Sequence, residues 1–119
     1  MTSNLPPSWT AEALRRSLPD FARALMAEGQ GASTVRIRVG NAARFIDWLD
    51  GRYQPRGAAR ARRSLGPDER WTPALLEAEA ASFEAACRAS HLAERTVVIY
   101  KRSTSRFICW LRTGRVRDC

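Results

Sequence analysis

Side chains able to do covalent or metal chemistry are few in this chain, and they are not grouped. His91 is the only histidine, and Cys87, Cys109 and Cys119 form an odd set without a C-x-x-C spacing. Zinc takes four ligands in paired spacings, and a disulfide framework needs an even, regular set. Reduced thiols are therefore expected, with Cys87 and Cys109 in or near the core and Cys119 at a free end. General acid–base catalysis is hard to assemble from one histidine and scattered carboxylates, and no phosphate-binding glycine loop is present. Tyr53 falls in a loop and Tyr100 on an apolar stripe, neither of them a setting for a nucleophile. No catalysis, metal, cofactor or small-molecule substrate is expected.

What remains is the chemistry of arginine, which supplies 19 of the 20 basic residues of a chain with net charge +8. A planar guanidinium makes bidentate contacts to phosphate or guanine that an ammonium does not match. A basic excess of this size on a small chain favours a polyanionic partner, because each phosphate neutralised releases counterions. Placement sharpens the reading. Residues 1–51 carry six basic and five acidic groups, whereas residues 95–117 carry seven basic groups and no acid. Residues 52–70 add six arginines, at 52, 56, 60, 62, 63 and 70, against Asp68 and Glu69 alone.

The elements that must present these arginines are legible from an internal repeat at an offset of 62 residues. Trp9-Thr10 falls on Trp71-Thr72, Phe21 on Phe83 and Thr34-Val35 on Thr96-Val97. Ile37 falls on Ile99, Arg44-Phe45-Ile46 on Arg106-Phe107-Ile108, and Trp48-Leu49 on Trp110-Leu111. A fixed-period match means one supersecondary unit used twice, each copy burying its apolar face against the other. At 119 residues the chain is long enough for one domain and one modest core, so residues 1–119 are expected to form a single domain. Its repeat units run over about 9–51 and 71–114, joined by the basic loop 52–70. No apolar run approaches the roughly 20 residues that span a bilayer. Residues 1–7 lack the basic start and apolar core of a secretory signal, so a cytoplasmic protein without membrane contact is expected.

Thr10 and Thr72 read as helix N-caps, Pro73 as a tolerated first helical residue, and the tryptophan before each cap as a staple onto the first turn. Pro19 is expected to interrupt the first segment, leaving a brief helix at about 10–17 and a main helix from 19 to 28, ended by Gly29-Gln30-Gly31. Ser33 or Thr34 opens the next helix, in which Val35, Val39, Ala42, Phe45, Ile46 and Leu49 form a buried stripe. Val97, Tyr100, Thr104, Phe107, Ile108 and Leu111 repeat that stripe. Asp50-Gly51 and Thr113-Gly114 end these two helices. A helical turn fits residues 58–64 within the loop, and residues 115–119 are expected to fray. The strand-forming residue types of 96–100 are overridden by their helical counterpart at 34–38, so the fold class is all-α.

Each half thus reads as a helix, a short turn, and an arginine-bearing helix ending in Arg-Phe-Ile-x-Trp-Leu. The run from Phe21 and Leu25 through Ala32-Ser33-Thr34-Val35 to Arg44-Phe45-Ile46-Asp47-Trp48-Leu49 resembles the first hairpin of a known module. That module is the core-binding, SAM-like domain of the tyrosine recombinases and phage-type integrases. The run from Phe83 through Arg95-Thr96-Val97 to Arg106-Phe107-Ile108-Cys109-Trp110-Leu111 resembles its second hairpin. The resemblance covers residues 9–115, nearly the whole chain.

The resemblance implies a four- to five-helix bundle of two hairpins, forming one jaw of a clamp around double-stranded DNA in site-specific recombination and integration. The second helix of each hairpin would face the major groove. Ser33, Thr34, Arg36, Arg38 and Asn41 would lie along the first such helix, and Arg95, Thr96, Lys101, Arg102 and Arg106 along the second. Thr34 and Thr96 would sit at helix N-termini, where free backbone N–H groups favour a phosphate and where a capping role is compatible with that contact. Arg44 and Arg106, at equivalent places, read more readily as solvated or core-edge ion pairs than as direct DNA contacts, which Arg36 and Arg102 suit better, and Trp48 and Trp110 read as packing residues rather than base-stacking ones. A tyrosine recombinase cuts through a tyrosine in a separate C-terminal domain that has no counterpart here, so this chain is expected to bind and not to cut. The alternative is a helical interaction module that assembles with a recombinase subunit or another DNA-bound protein. A patch built for that task would be more apolar and less charged.

Overall fold

The computed structural model describes residues 7–53 and 69–116. Its regular elements are four helices: α1 (Ala11–Ala27), α2 (Ala32–Leu49), α3 (Pro73–Ala89) and α4 (Glu94–Thr113). Among the described residues there is no strand, only an isolated antiparallel bridge between Trp9 and Trp71. The expected all-α bundle of two helical hairpins is what forms, with α1 packed on α2, α3 on α4, and α2 crossing α4. The suggested turn at 58–64 and the arginines at 56, 60, 62 and 63 lie outside the described residues.

Helix starts follow local chemistry. Thr10 Oγ1 accepts the backbone N–H of Ala13 at 3.1 Å, and Thr72 Oγ1 that of Leu75 at 3.2 Å. Each threonine satisfies one of the four orphan donors of its helix, as expected. Pro19 does not divide the first segment. It lies exposed within α1 and leaves the Arg15 carbonyl without its helical N–H donor. The tryptophans before the caps also pair with one another through their backbones. Trp9 N donates to Trp71 O at 2.9 Å and Trp71 N to Trp9 O at 2.7 Å.

That pairing reveals how the two halves meet, because residues 62 apart in sequence touch each other across a local twofold axis. Asn41 Nδ2 donates to Ser103 Oγ at 3.3 Å, and Arg70 Nε donates to Ser8 Oγ at 2.7 Å. Off the axis, contacts occur in matched pairs. Phe21 packs on Phe107 with ring centroids 5.2 Å apart and Phe83 on Phe45 at 5.7 Å; Phe21 meets Trp110 at 5.4 Å and Phe83 meets Trp48 at 5.5 Å. These four phenylalanines are buried, together with Leu14, Leu25, Ile46, Leu49, Leu76 and Val97. A single apolar cluster spans all four helices, and its burial is the dominant favourable contribution to folding.

Two terminal details depart from expectation. Val116 in the tail is buried against the core rather than frayed, and its carbonyl accepts from Arg106 Nη1 at 3.5 Å. Of the cysteines, Cys87 is free and buried, whereas Cys109 is half-buried and disulfide-bonded, so the expectation of reduced thiols fails there. Cys119 lies outside the described residues.

Candidate nucleic-acid interface

The outer faces of α2 and α4 carry most of the residues singled out by the sequence. Both helices start differently from α1 and α3. Their N-caps are Gly31 and Ala93, neither of which provides a side-chain hydrogen bond. Thr34 and Thr96 are therefore not caps; they sit inside the first turn, Thr34 exposed and Thr96 half-buried, as Ser33 and Arg95 lie exposed beside them. Neither N-cap supplies a side-chain acceptor; the first turn of α2 holds no acid, whereas that of α4 begins with the carboxylate of Glu94 at the positive end of the helix dipole.

Farther along, Arg36, Lys101 and Arg102 are exposed, and Arg38 and Arg106 are half-buried. Arg38 comes from α2 and Arg102 and Arg106 from α4, and the α2–α4 crossing brings the three charges together. The Arg38 guanidinium is held below its ordinary range, first by burial and then by the like charges of Arg106 and Arg102. Neither Arg38 nor Arg102 meets a carboxylate among the described residues, and Arg106 reaches only the Val116 carbonyl. A shallow depression of about 450 Å³ beside them is lined by Arg88, Val98, Lys101, Arg102, Ser105 and Arg106. Two of these cations are already matched. Arg88 Nη2 lies 3.0 Å from Glu84, and Lys101 Nζ lies 3.6 Å from the same carboxylate.

The local twofold makes the unmatched trio informative. The counterpart of Arg106 facing Arg38 is Arg44 facing Tyr100, since each partner is displaced by 62 residues. At that second place the charge is satisfied: Arg44 Nη1 donates to the Tyr100 hydroxyl at 2.6 Å, with the guanidinium 5.0 Å from the Tyr100 ring and 5.5 Å from that of Tyr53. Arg44 is thus a packing residue stacked on aromatic faces. Its equivalent, Arg106, faces a second arginine instead. The Arg38–Arg106 place therefore holds two like charges where its equivalent holds a satisfied one.

Asn41 departs from its expected placement. It is 7 % exposed and lies in the α2–α4 contact with its amide on Ser103, so it holds the helices together and presents nothing to the surface. Conversely, Ile37 and Ile99 stand out of the fold, 58 % and 41 % exposed at equivalent positions on α2 and α4. Sequence reading missed the Arg38–Arg102–Arg106 grouping, because it requires knowing how two distant helices cross. The aligned pairs Arg44/Arg106 and Arg38/Tyr100 were the available signal.

Among the described residues no group of three His, Cys, Asp or Glu side chains is placed to hold a metal ion, and no helix is long and apolar enough to cross a membrane. No family model matches the chain, no curated protein matches it, and no solved structure matches it.

Proposed function

We propose that the protein binds double-stranded DNA through the outer faces of α2 and α4, as the core-binding domain of a tyrosine recombinase or integrase does. The observation that carries this reading is the convergence of Arg38, Arg102 and Arg106 from two helices without a carboxylate between them. The N-terminus of α2, which has no acidic residue in its first turn, adds backbone donors for a phosphate, whereas that of α4 carries Glu94. Ile37 and Ile99, exposed on these same two helices, suit contact with thymine methyl groups in the major groove. Phosphate contacts position such a protein while base-edge contacts specify the site.

The test is a fluorescence-anisotropy titration of a labelled duplex across salt concentrations. If the three arginines neutralise three phosphates, log Kd against log salt has a slope of about 2.7 from these contacts alone. Removal of one, as Arg38→Ala or Arg102→Ala, lowers that slope by about 1 and weakens binding, as does Arg36→Ala. Arg23→Ala is the control. Arg23 is exposed on α1 and ion-paired with Asp20, so its loss leaves affinity nearly unchanged. Equal effects of Arg23→Ala and Arg102→Ala overturn the assignment of the α2–α4 face. The recombinase reading is tested separately by the gene: a reading frame continuing past Cys119 for about 150 residues to a late tyrosine supports it on the usual size of a domain.

A further inference from the structure

We propose that the furrow between α3 and α4 binds a small, uncharged aromatic molecule carrying one hydrogen-bonding group. The proposal is independent of the DNA reading. The furrow encloses about 480 Å³, within the range of sites that take small molecules. Phe83, Val97, Tyr100 and Ile108 line it, and the rings of Phe83 and Tyr100 lie nearly parallel, 7° apart with centroids separated by 6.2 Å. The stacked rings give the furrow an aromatic lining suited to a planar guest.

The first hairpin shows why the space exists. Its equivalent positions hold Leu18, packed against the core, and Leu25, fully buried. The second hairpin has Ala80 and Cys87 there, both lining the furrow. Two leucine side chains are thus replaced by shorter ones at matching places, while Glu84 and Thr104 at the furrow are bulkier than their counterparts Ala22 and Ala42.

A second, independent feature points to a guest. Thr104 lines the furrow and is 1 % exposed, yet its hydroxyl oxygen has no hydrogen-bond partner among the described residues. A buried hydroxyl left unpaired is destabilising, so it is unusual without a role. Its counterpart in the first hairpin is the buried, apolar Ala42. The hydroxyl oxygen is sealed from water, so a guest completes the missing bond by displacing the atoms that cover it. The rim fixes the guest's charge. Glu77 meets Arg112 at 2.7 Å on one side and Glu84 meets Lys101 at 3.6 Å on the other, so each charge at the mouth is neutralised and a charged guest would have to break a pair.

Indole is a suitable probe, with a flat ring and a single N–H, and indene is its analogue without the N–H. Titration of indole into ¹⁵N-labelled protein is expected to give saturable shifts at the amides of Ala80, Cys87 and Thr104 and none at Leu18, Leu25 and Ala42. Ala80→Leu, which installs the first hairpin's residue, is expected to abolish these shifts while thermal denaturation shows the protein still folded. Thr104→Val keeps the side chain's shape and removes the hydroxyl. It is expected to weaken indole binding by about fivefold to tenfold, the size of one neutral hydrogen bond, and to remove any preference for indole over indene. If Ala80→Leu does not fold, the indole–indene comparison in Thr104→Val decides alone. Absence of saturable shifts up to the solubility of indole overturns the proposal. So do shifts spread evenly over both hairpins, an unaltered titration in Thr104→Val, or furrow amides that shift on dilution of the protein alone, which would mean that a second copy fills the space.

Discussion

His91 occupies the place that Gly29 holds in the first hairpin, and both have positive φ, 66° and 87°. The left-handed region costs a side chain with a Cβ about 1–2 kcal/mol and glycine almost nothing. His91→Gly is therefore expected to stabilise the protein by about 0.5–1 kcal/mol once the greater freedom of the unfolded glycine is counted, seen as a rise of a few degrees in Tm. A fall in Tm would show that the imidazole makes a contact worth more than the strain. Burial pushes the Cys87 thiol from 9.0 up to about 11, with Arg44 opposing and Glu84 adding to the shift. A raised value means that the folded state holds the proton more tightly than the unfolded chain. Stability from this group is then fully present below pH 9 and is lost as pH rises through 11, and Cys87→Ala is expected to flatten the stability curve in that window. At this scale the sequence spoke unevenly. The isolation of His91 was legible from a single count, but the burial of Asn41 was not, because its polar amide sits where only the opposing helix, bearing Ser103, makes burial acceptable.

Helix by helix, the ends were more legible than the interiors. Thr10 and Thr72 precede good helix formers and do cap, so Thr10→Ala or Thr72→Ala is expected to cost about 1 kcal/mol in a denaturant titration. Thr34→Ala, which removes an exposed side chain without a capping bond, is expected to stay within about 0.5 kcal/mol of the parent. A large loss there would restore the capping role that the sequence suggested. Pro19 misled because a proline in mid-segment signals a break, while tertiary packing of Phe21 and Leu25 into the core holds α1 continuous. Pro19→Ala supplies the missing N–H and is expected to stabilise α1 by about 1–3 kcal/mol, with the α1 amides gaining protection in hydrogen exchange. The apolar stripes of α2 and α4 were legible because burial follows helical spacing directly. The meeting of Arg38 with Arg102 and Arg106 was not, because spacing along one helix says nothing about the angle at which another crosses it.

For the molecule as a whole, the duplication was the most readable fact, since identity at an offset of 62 concentrates in residues that pack across the local axis: Trp9, Phe21, Phe45 and Trp48 with their equivalents. What the repeat hid was its own asymmetry, which lies in the residues that differ. One such difference joins the helices within each hairpin. Arg15 on α1 pairs with Asp47 on α2 at 2.9 Å and with Asp50 just past its end, and the equivalent link on the other side is Glu77 with Arg112 at 2.7 Å. Arginine and carboxylate have exchanged places. Arg15→Glu alone sets three acids together and is expected to cost about 1 kcal/mol, largely restored by adding Asp50→Arg; an additive double variant would show the link to be idle.

A polypeptide that carries two nearly interchangeable halves runs the risk of assembling with the wrong one, α1 lying where α3 belongs. In that arrangement Arg15 would confront Arg112, and Glu77 would confront Asp47 and Asp50, so the mistaken partner meets repulsion at the seam while the correct one meets attraction. The reversed polarity thus works as a lock that tells two look-alike keys apart, and lets a doubled gene segment settle into one shape.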